Sequence, residues 1–350
     1  MKRAWVGAVC LLAAMAAGGR VARAQGCVAA HSNQRSMDVL VLSDKGGEVS
    51  PKWIHNLTVN IGYRVFNSNK YFVGSTEIAR PRAVENHQNI FDVDLEYQLT
   101  HRWSIIADIP VFDGTRNQIY PPVGIFQVSG LGDITVGAQA WVFRPPTESG
   151  GNVAVNTQLK MPTGINDATG SALYHGQTVK ATADQSLQPG DGTWGFSVGT
   201  QGYKQLWRGS ALYEQANYLF SPADTNGVPT FRSQPGQQVM SATDQYLFRG
   251  GLSQVMPKVH WVALSAGIRG EGVPVHDLLG DSDGFRRPGM IISFDPGLML
   301  TYKRDTFSAN GPWAIYRNRP PSVPEMQHNN TNGDAFFADY TVLVSWSHRF

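Results

Sequence analysis

From Tyr340 to Phe350 the chain alternates with a period of two. Tyr340, Val342, Val344, Trp346 and Phe350 fall on one face, and Thr341, Ser345, Ser347 and Arg349 on the other. His348 is the one polar member of the first face. A segment of this kind is a strand whose apolar side has to be covered. Ending on an aromatic carboxylate, it suits the closing strand of an outer-membrane β-barrel, with Phe350 as the signal read by the barrel assembly machinery. The competing reading is the last edge strand of a soluble sandwich.

The other end of the chain favours the barrel. Lys2 and Arg3 precede an apolar stretch, Val6 to Ala17, and Ala22-Arg23-Ala24 has the small-x-small form of a signal-peptide cleavage site. Export would remove residues 1–24, leaving 25–53 as a periplasmic segment or lumen plug and 54–350 as the barrel. Cleavage takes away four bases and no acid, so 29 bases fall to 25 against 27 acids. The mature chain is slightly acidic, which argues against nucleic acid as a partner. Cys27 is then the remaining cysteine, so no intramolecular disulfide is available. A lipid anchor on Cys27 would want Leu where Ala24 stands.

Beyond the leader no run of about 18 apolar residues occurs, so a membrane-spanning helix is excluded by length. A chain that crosses a bilayer without helices has to close its sheet, because lipid offers no partner to a free backbone group. The 37 glycines, 20 prolines, 11% aromatic and 16% charged residues suit strands, turns and interfacial rings, although a soluble all-β protein shares those figures.

The period of two recurs along the chain. Leu57, Val59, Ile61, Tyr63 and Val65 alternate with Thr58, Asn60, Gly62 and Arg64; Phe91, Val93, Leu95, Tyr97 and Leu99 alternate with Asp92, Asp94, Glu96 and Gln98. A short turn over 100–102 leads into Trp103, Ile105, Ala107, Ile109 and Val111. The same pattern predicts strands near 132–143, 152–162, 193–205, 210–220, 244–255, 260–270, 289–303, 305–315 and 337–350, twelve in all. Connections alternate between long (67–88, 113–130, 163–192, 221–243, 271–288, 316–336) and short. Sorting of this kind, with an even count, is the arrangement of a transmembrane antiparallel up-and-down β-barrel. Two strands are weak: 210–220 puts Glu214 and Asn217 on opposite faces, and 305–315 carries Gly311 and Pro312. Ten strands therefore remain open, as do fourteen if a long loop hides a hairpin.

Polarity assigns the faces. Phe91, Val93, Leu95 and Tyr97 tolerate hydrocarbon, whereas a charged row near the midplane costs about 2 kcal/mol or more per charge. Asp92, Asp94 and Glu96 must point into the lumen. The same argument places Arg64, Asp108, Asp133, Gln139, Asn156, Gln158, Lys160, Arg249 and Arg269 inside. The acidic column either biases the pore toward cations or pairs with inward bases such as Lys160, Arg249 and Arg269. Tyr97, Trp103, Trp194, Tyr302, Trp346 and Phe350 suit interfacial girdles.

Four stretches carry a family resemblance: Ser129 to Phe143 (SGLGDITVGAQAWVF), Leu159 to Gly164 (LKMPTG), Ala314 to Asn318 (AIYRN) and Gly333 to Tyr340 (GDAFFADY). In these the chain resembles outer-membrane transporters of the phenol meta-cleavage pathway family. The resemblance implies uptake of aromatic or other hydrophobic compounds and brings no set of binding residues with it.

A barrel of twelve strands lies between those filled by side chains and those that enclose an open aqueous channel. Its lumen is expected to be narrow, obstructed by residues 25–53 or left clear if that segment is a free periplasmic tail. The short apolar run Val39 to Leu42 loosely matches an energy-coupling box, in a chain too short for the large plugged barrels that use one.

Chemistry-bearing motifs are sparse. No nucleophile elbow, His-Glu-x-x-His, P-loop or dinucleotide glycine pattern occurs, and no histidine pair has metal-ligand spacing. Nothing calls for a cofactor. Asp277, Asp281, Asp283 and Gly284 lie in a loop that could take calcium or serve as ordinary turn residues. An outer-membrane lipase would need a pair such as Ser253 with His260 or Ser265. The leading expectation is a channel for small hydrophobic or aromatic molecules, with membrane lipid and the assembly machinery as its other partners. A structural or adhesive barrel is the alternative.

Overall fold

The computed structural model describes residues 56–144, 150–328 and 335–350; the expected signal peptide and the whole expected 25–53 segment lie outside these residues. The strands are β1 (Leu57–Ser68), β2 (Lys70–Val73), β3 (Thr76–Glu77), β4 (Glu85–Gln98), β5 (Trp103–Gln118), β6 (Gly124–Leu131), β7 (Thr135–Trp141), β8 (Gly151–Lys160), β9 (Thr169–Tyr174) and β10 (Gln177–Thr182). They continue as β11 (Gly195–Gln205), β12 (Ser210–Phe220), β13 (Thr225–Pro229), β14 (Val239–Ser241), β15 (Gln245–Met256), β16 (Val259–Val273), β17 (Gly289–Tyr302), β18 (Asp305–Asn310), β19 (Trp313–Asn318), β20 (Ala335–Phe337) and β21 (Thr341–Arg349), with one short helix, α1 (Val323–Gln327).

Twelve strands, β1, β4, β5, β7, β8, β11, β12, β15, β16, β17, β18 and β21, pair antiparallel in a closed ring. β21 closes it, lying against β1 from Thr58↔Arg349 to Phe66↔Thr341 and against β18 from Asp305↔His348 to Asn310↔Leu343. Closure leaves no edge in the hydrocarbon, as is required where, among the described residues, no helix is long and apolar enough to cross a membrane. The weak candidates both form. β12 pairs on each side, and the stretch carrying Gly311 and Pro312 holds as two pieces, β18 and β19, that share β17. Proline has no N–H for a ladder, which accounts for the break.

The period of two becomes a membrane-facing belt. Ile61, Phe91, Ile105, Val155, Leu159, Val198, Leu264 and Phe294 are all exposed on the outer face. Trp103, Trp207 and Trp261 at the short-turn end, with Trp194 and Trp313 toward the other, are more than 45% exposed and mark the two interfaces. His348 sits beside Asp305, Nδ1 to Oδ1 2.8 Å, and Trp346 Nε1 donates to the same oxygen at 3.1 Å. Its polar exception on that face is thereby satisfied in the turn between β17 and β18.

Three boundaries differ from the sequence reading. The expected loop 113–130 is mostly strand: β5 runs to Gln118 and β6 starts at Gly124. Above the belt the outer face of these strands meets water while the inner face buries a mixture of apolar and polar side chains, Phe112, Arg116 and Gln118 on β5 and Phe126 and Val128 on β6, so the apolar alternation that marks a strand vanishes while the ladder continues. The return strand is broken at Gly132–Ile134, with β6 pairing the upper half of β5 and β7 the lower. The segment before the last strand leaves the barrel, because Ala335–Phe337 pairs instead with β2 in a three-stranded cap whose Phe336 and Phe337 are fully buried.

Candidate functional site

The inward face is polar and tightly paired. Arg64, Asp94, Asp108, Lys160, Arg249 and Arg269 are buried inside the barrel, and the side chains of Asp92 and Asp133 are largely so. On the β1 to β5 wall, Asn60 Nδ2 donates to Asp94 Oδ2 at 2.6 Å, while Asp94 stands opposite Asp108 in the register. Arg64 Nη2 lies 3.8 Å from Asp92 Oδ2. Glu96 accepts from Gln139, which in turn accepts from Gln201 at 2.8 Å.

The acidic column and the three inward bases named with it do not meet. Arg249 pairs with Asp295 at 2.9 Å and Arg269 with Glu271 at 2.7 Å, both on the opposite wall. Lys160 pairs with Asp133 and Asp191 at the end of β8. Asp295 and Glu271 lie on inward faces of β17 and β16, where the strands are read from glycine- and proline-interrupted sequence, so their inward direction was hard to see. Between the walls, Arg64 and Asp92 face Arg249 across a gap also lined by Ser308, Asn310 and Ser345.

Glu214 behaves differently. It stands opposite Gly202 and Gly250 on the outer face of β12 and takes a hydrogen bond from Thr200 Oγ1 at 3.3 Å.

The motif stretches converge where the return strand breaks. Asp133 Oδ1 accepts from the Gly164 N–H and Oδ2 from the Asp191 N–H, both at 2.9 Å. A Cβ on Gly164 would lie 2.8 Å from Gly132 C and from Gly190 Cα, so three backbones touch where no side chain fits. Thr163 Oγ1 completes the knot, accepting from Ile134 and donating to the Gly132 carbonyl.

Above this knot the loop between β8 and β11 folds inward. Its 3₁₀ turn, Gln185–Leu187, is started by Asp184, whose carboxylate caps Ser186 N at 3.0 Å. Leu187 is fully buried with Phe66, Ile90, Phe112, Phe126 and Val128, an apolar cluster inside the upper barrel. Asp184 pairs with Arg116 of β5 at 3.4 Å and, through both oxygens, with Arg287 from the loop before β17 at 2.7 and 2.6 Å. Burial alone would raise the Asp184 carboxyl; the two guanidiniums overcome this and hold it well below the ordinary carboxylate range. Gln88 Nε2 donates to Ser186 O and Gln185 Nε2 to Ser241 O, each at 2.7 Å. β5 and β17 are nearly opposite in the ring, so the segment is a strap across the mouth. Beside it lies a partly open space bounded by Phe112, Met240, Val273, Gln88, Gln188, Gln245, Asp191 and Arg287.

None of the strap residues was legible as a site. Arg116 lies beyond the apolar alternation, Asp184 in a loop, and Arg287 in a stretch without periodicity. Among the described residues no group of three or more His, Cys, Asp or Glu could hold a metal ion. Asp277 of the candidate calcium loop is engaged by Arg286, and burial, the larger effect, raises its carboxyl. The suggested lipase pair is not assembled: Ser253 stands opposite Ser265, and His260 lies exposed near the short-turn end.

No family model and no curated protein matches the chain. Among solved structures it is similar to an outer-membrane channel from Pseudomonas putida F1, with 14% identity, TM-score 0.58, and coverage of 87% of this chain and 100% of that one. A Bordetella autotransporter β domain (13% identity, TM-score 0.46, 84% and 100% covered) and the P. putida toluene transporter (8%, 0.44, 94% and 98%) are more distant. At this identity the likeness to the P. putida F1 channel is one of fold, a closed transmembrane β-barrel.

Proposed function

We propose that this protein is an outer-membrane channel that admits small hydrophobic or aromatic molecules, the long-loop end facing outward. The observation that carries the reading is the space under the strap. It is partly open, adjoins the apolar cluster around Phe112 and Leu187, and is lined mostly by neutral amides and hydroxyls, with one acid, Asp191, and one base, Arg287, rather than by a ring of one charge. Such a lining suits a mostly apolar solute with one or two polar groups. The fold shared with the P. putida channel supports the same reading, and the paired charges below disfavour a wide water-filled pore.

Flux tests this. Purified protein inserted in vesicles with a lipopolysaccharide outer leaflet should speed the entry of at least one small aromatic solute among toluene, phenol and benzoate over protein-free vesicles. If no small solute enters faster in any lipid tested, the structural or adhesive barrel takes its place.

A further inference from the structure

The clamp around Asp184 has the form of a binding site whose occupant belongs to the protein itself. A carboxylate on a loop lies between two guanidiniums of opposite walls, one of them gripping it through both oxygens, and all three side chains are at most 4% exposed. The space beside it is bounded by Arg287 and by Phe112, Met240 and Val273. Lifting the strap withdraws the carboxylate and leaves buried guanidiniums behind. A neutral solute cannot replace what they lose, whereas an incoming carboxylate exchanges one bidentate partner for another.

We propose that Arg116 and Arg287 form a carboxylate-binding site at the mouth of the barrel, that Asp184 is its resident place-holder, and that the solutes admitted are small organic acids with an apolar body. This rests on the channel reading and narrows its substrate class. The apolar body packs on Phe112, Met240 and Val273 while the acid takes the place of Asp184, so the strap is released only by a solute that can hold the clamp in its stead.

The test is calorimetric binding of benzoate and of benzyl alcohol to the purified, folded full-length protein in detergent, folding being followed by heat-modifiable mobility. Asp184→Ala should tighten benzoate binding about ten-fold or more and leave benzyl alcohol unchanged. Asp184→Asn should act in the same direction, and carries the test if the alanine variant does not fold. Adding Arg287→Met should remove the gain. Benzoate binding no tighter in either variant, or an equal gain for benzyl alcohol, would overturn the proposal. Because binding is read without transport, benzoate capture without flux in vesicles would count against the channel reading alone, and flux without capture against this one alone.

Discussion

Asp94 and Leu95 are adjacent in sequence and lie in different solvents. Asp94 is buried against Asn60 in the lumen, and Leu95 stands between Val59 and Ala107 on the membrane side. Leu95→Arg should therefore reduce stability on refolding into lipid by about 2–4 kcal/mol if the side chain lies near the midplane, and Asp94→Asn by much less. Equal damage from the two would mean that Asp94 holds a network the lumen cannot do without. Gly164→Ala is the second test at this scale. The added methyl meets the Gly132 and Gly190 backbones, which cannot rotate aside, so a loss of about 1–3 kcal/mol is expected in the same assay. Period-two logic can separate Asp94 from Leu95 because each residue there has one neighbour environment. It could not place Glu214, whose outward direction depends on the glycines opposite it in two other strands.

Among the elements, those inside the hydrocarbon were readable and those above it were not. β4 from Glu85 to Asn89 is polar on both faces, so nothing in its sequence separates it from a loop, and only pairing with β1 and β5 makes it a strand. The terminal strand was the clearest. The Phe350 N–H donates to the Leu57 carbonyl, adding the last rung between the first and final strands. Deleting Phe350 should lower the yield of folded barrel in the outer membrane, read as a heat-modifiable band; an unchanged yield would remove the assembly role given to it. For the strap, pH supplies the test. The Asp184 carboxyl is held low in the folded state, so its contribution is fully present above the ordinary carboxylate value and is lost as pH falls through the lower folded one. Conductance in planar bilayers should thus hold steady from neutral pH down to about 4 and rise below it. A rise between pH 5 and 7 would assign the mouth to another group.

For the whole molecule, the inner wall divides its charge by side: Arg64, Asp92, Asp94 and Asp108 on one half of the ring, Arg249, Asp295, Arg269 and Glu271 on the other. The second half balances itself, two bases against two acids, whereas the first sets three acids against Arg64, which predicts a preference for cations. Asp92→Asn, Asp94→Asn and Glu96→Gln together remove three acids from the Arg64 wall, leaving Asp108, and should move the reversal potential in a salt gradient toward anions. No movement would show that ions bypass this wall. This division could not be read from the chain, since it arises from strands far apart in sequence that closure sets face to face.

The strap also determines which parts of this barrel can be exchanged. Its ties reach β4, β5, the loop before β15 and the loop before β17, so it is no self-contained module. Grafted into a related barrel, it would arrive without its anchors. The hairpin β9–β10 just ahead of it is the opposite case: its tip, Tyr174 to Gln177, is exposed and turns through His175 and Gly176 at positive φ. A reporter epitope spliced there would sit on the loop side of the barrel and leave the knot beneath untied to it, giving a handle on a molecule whose mouth tolerates little other surgery.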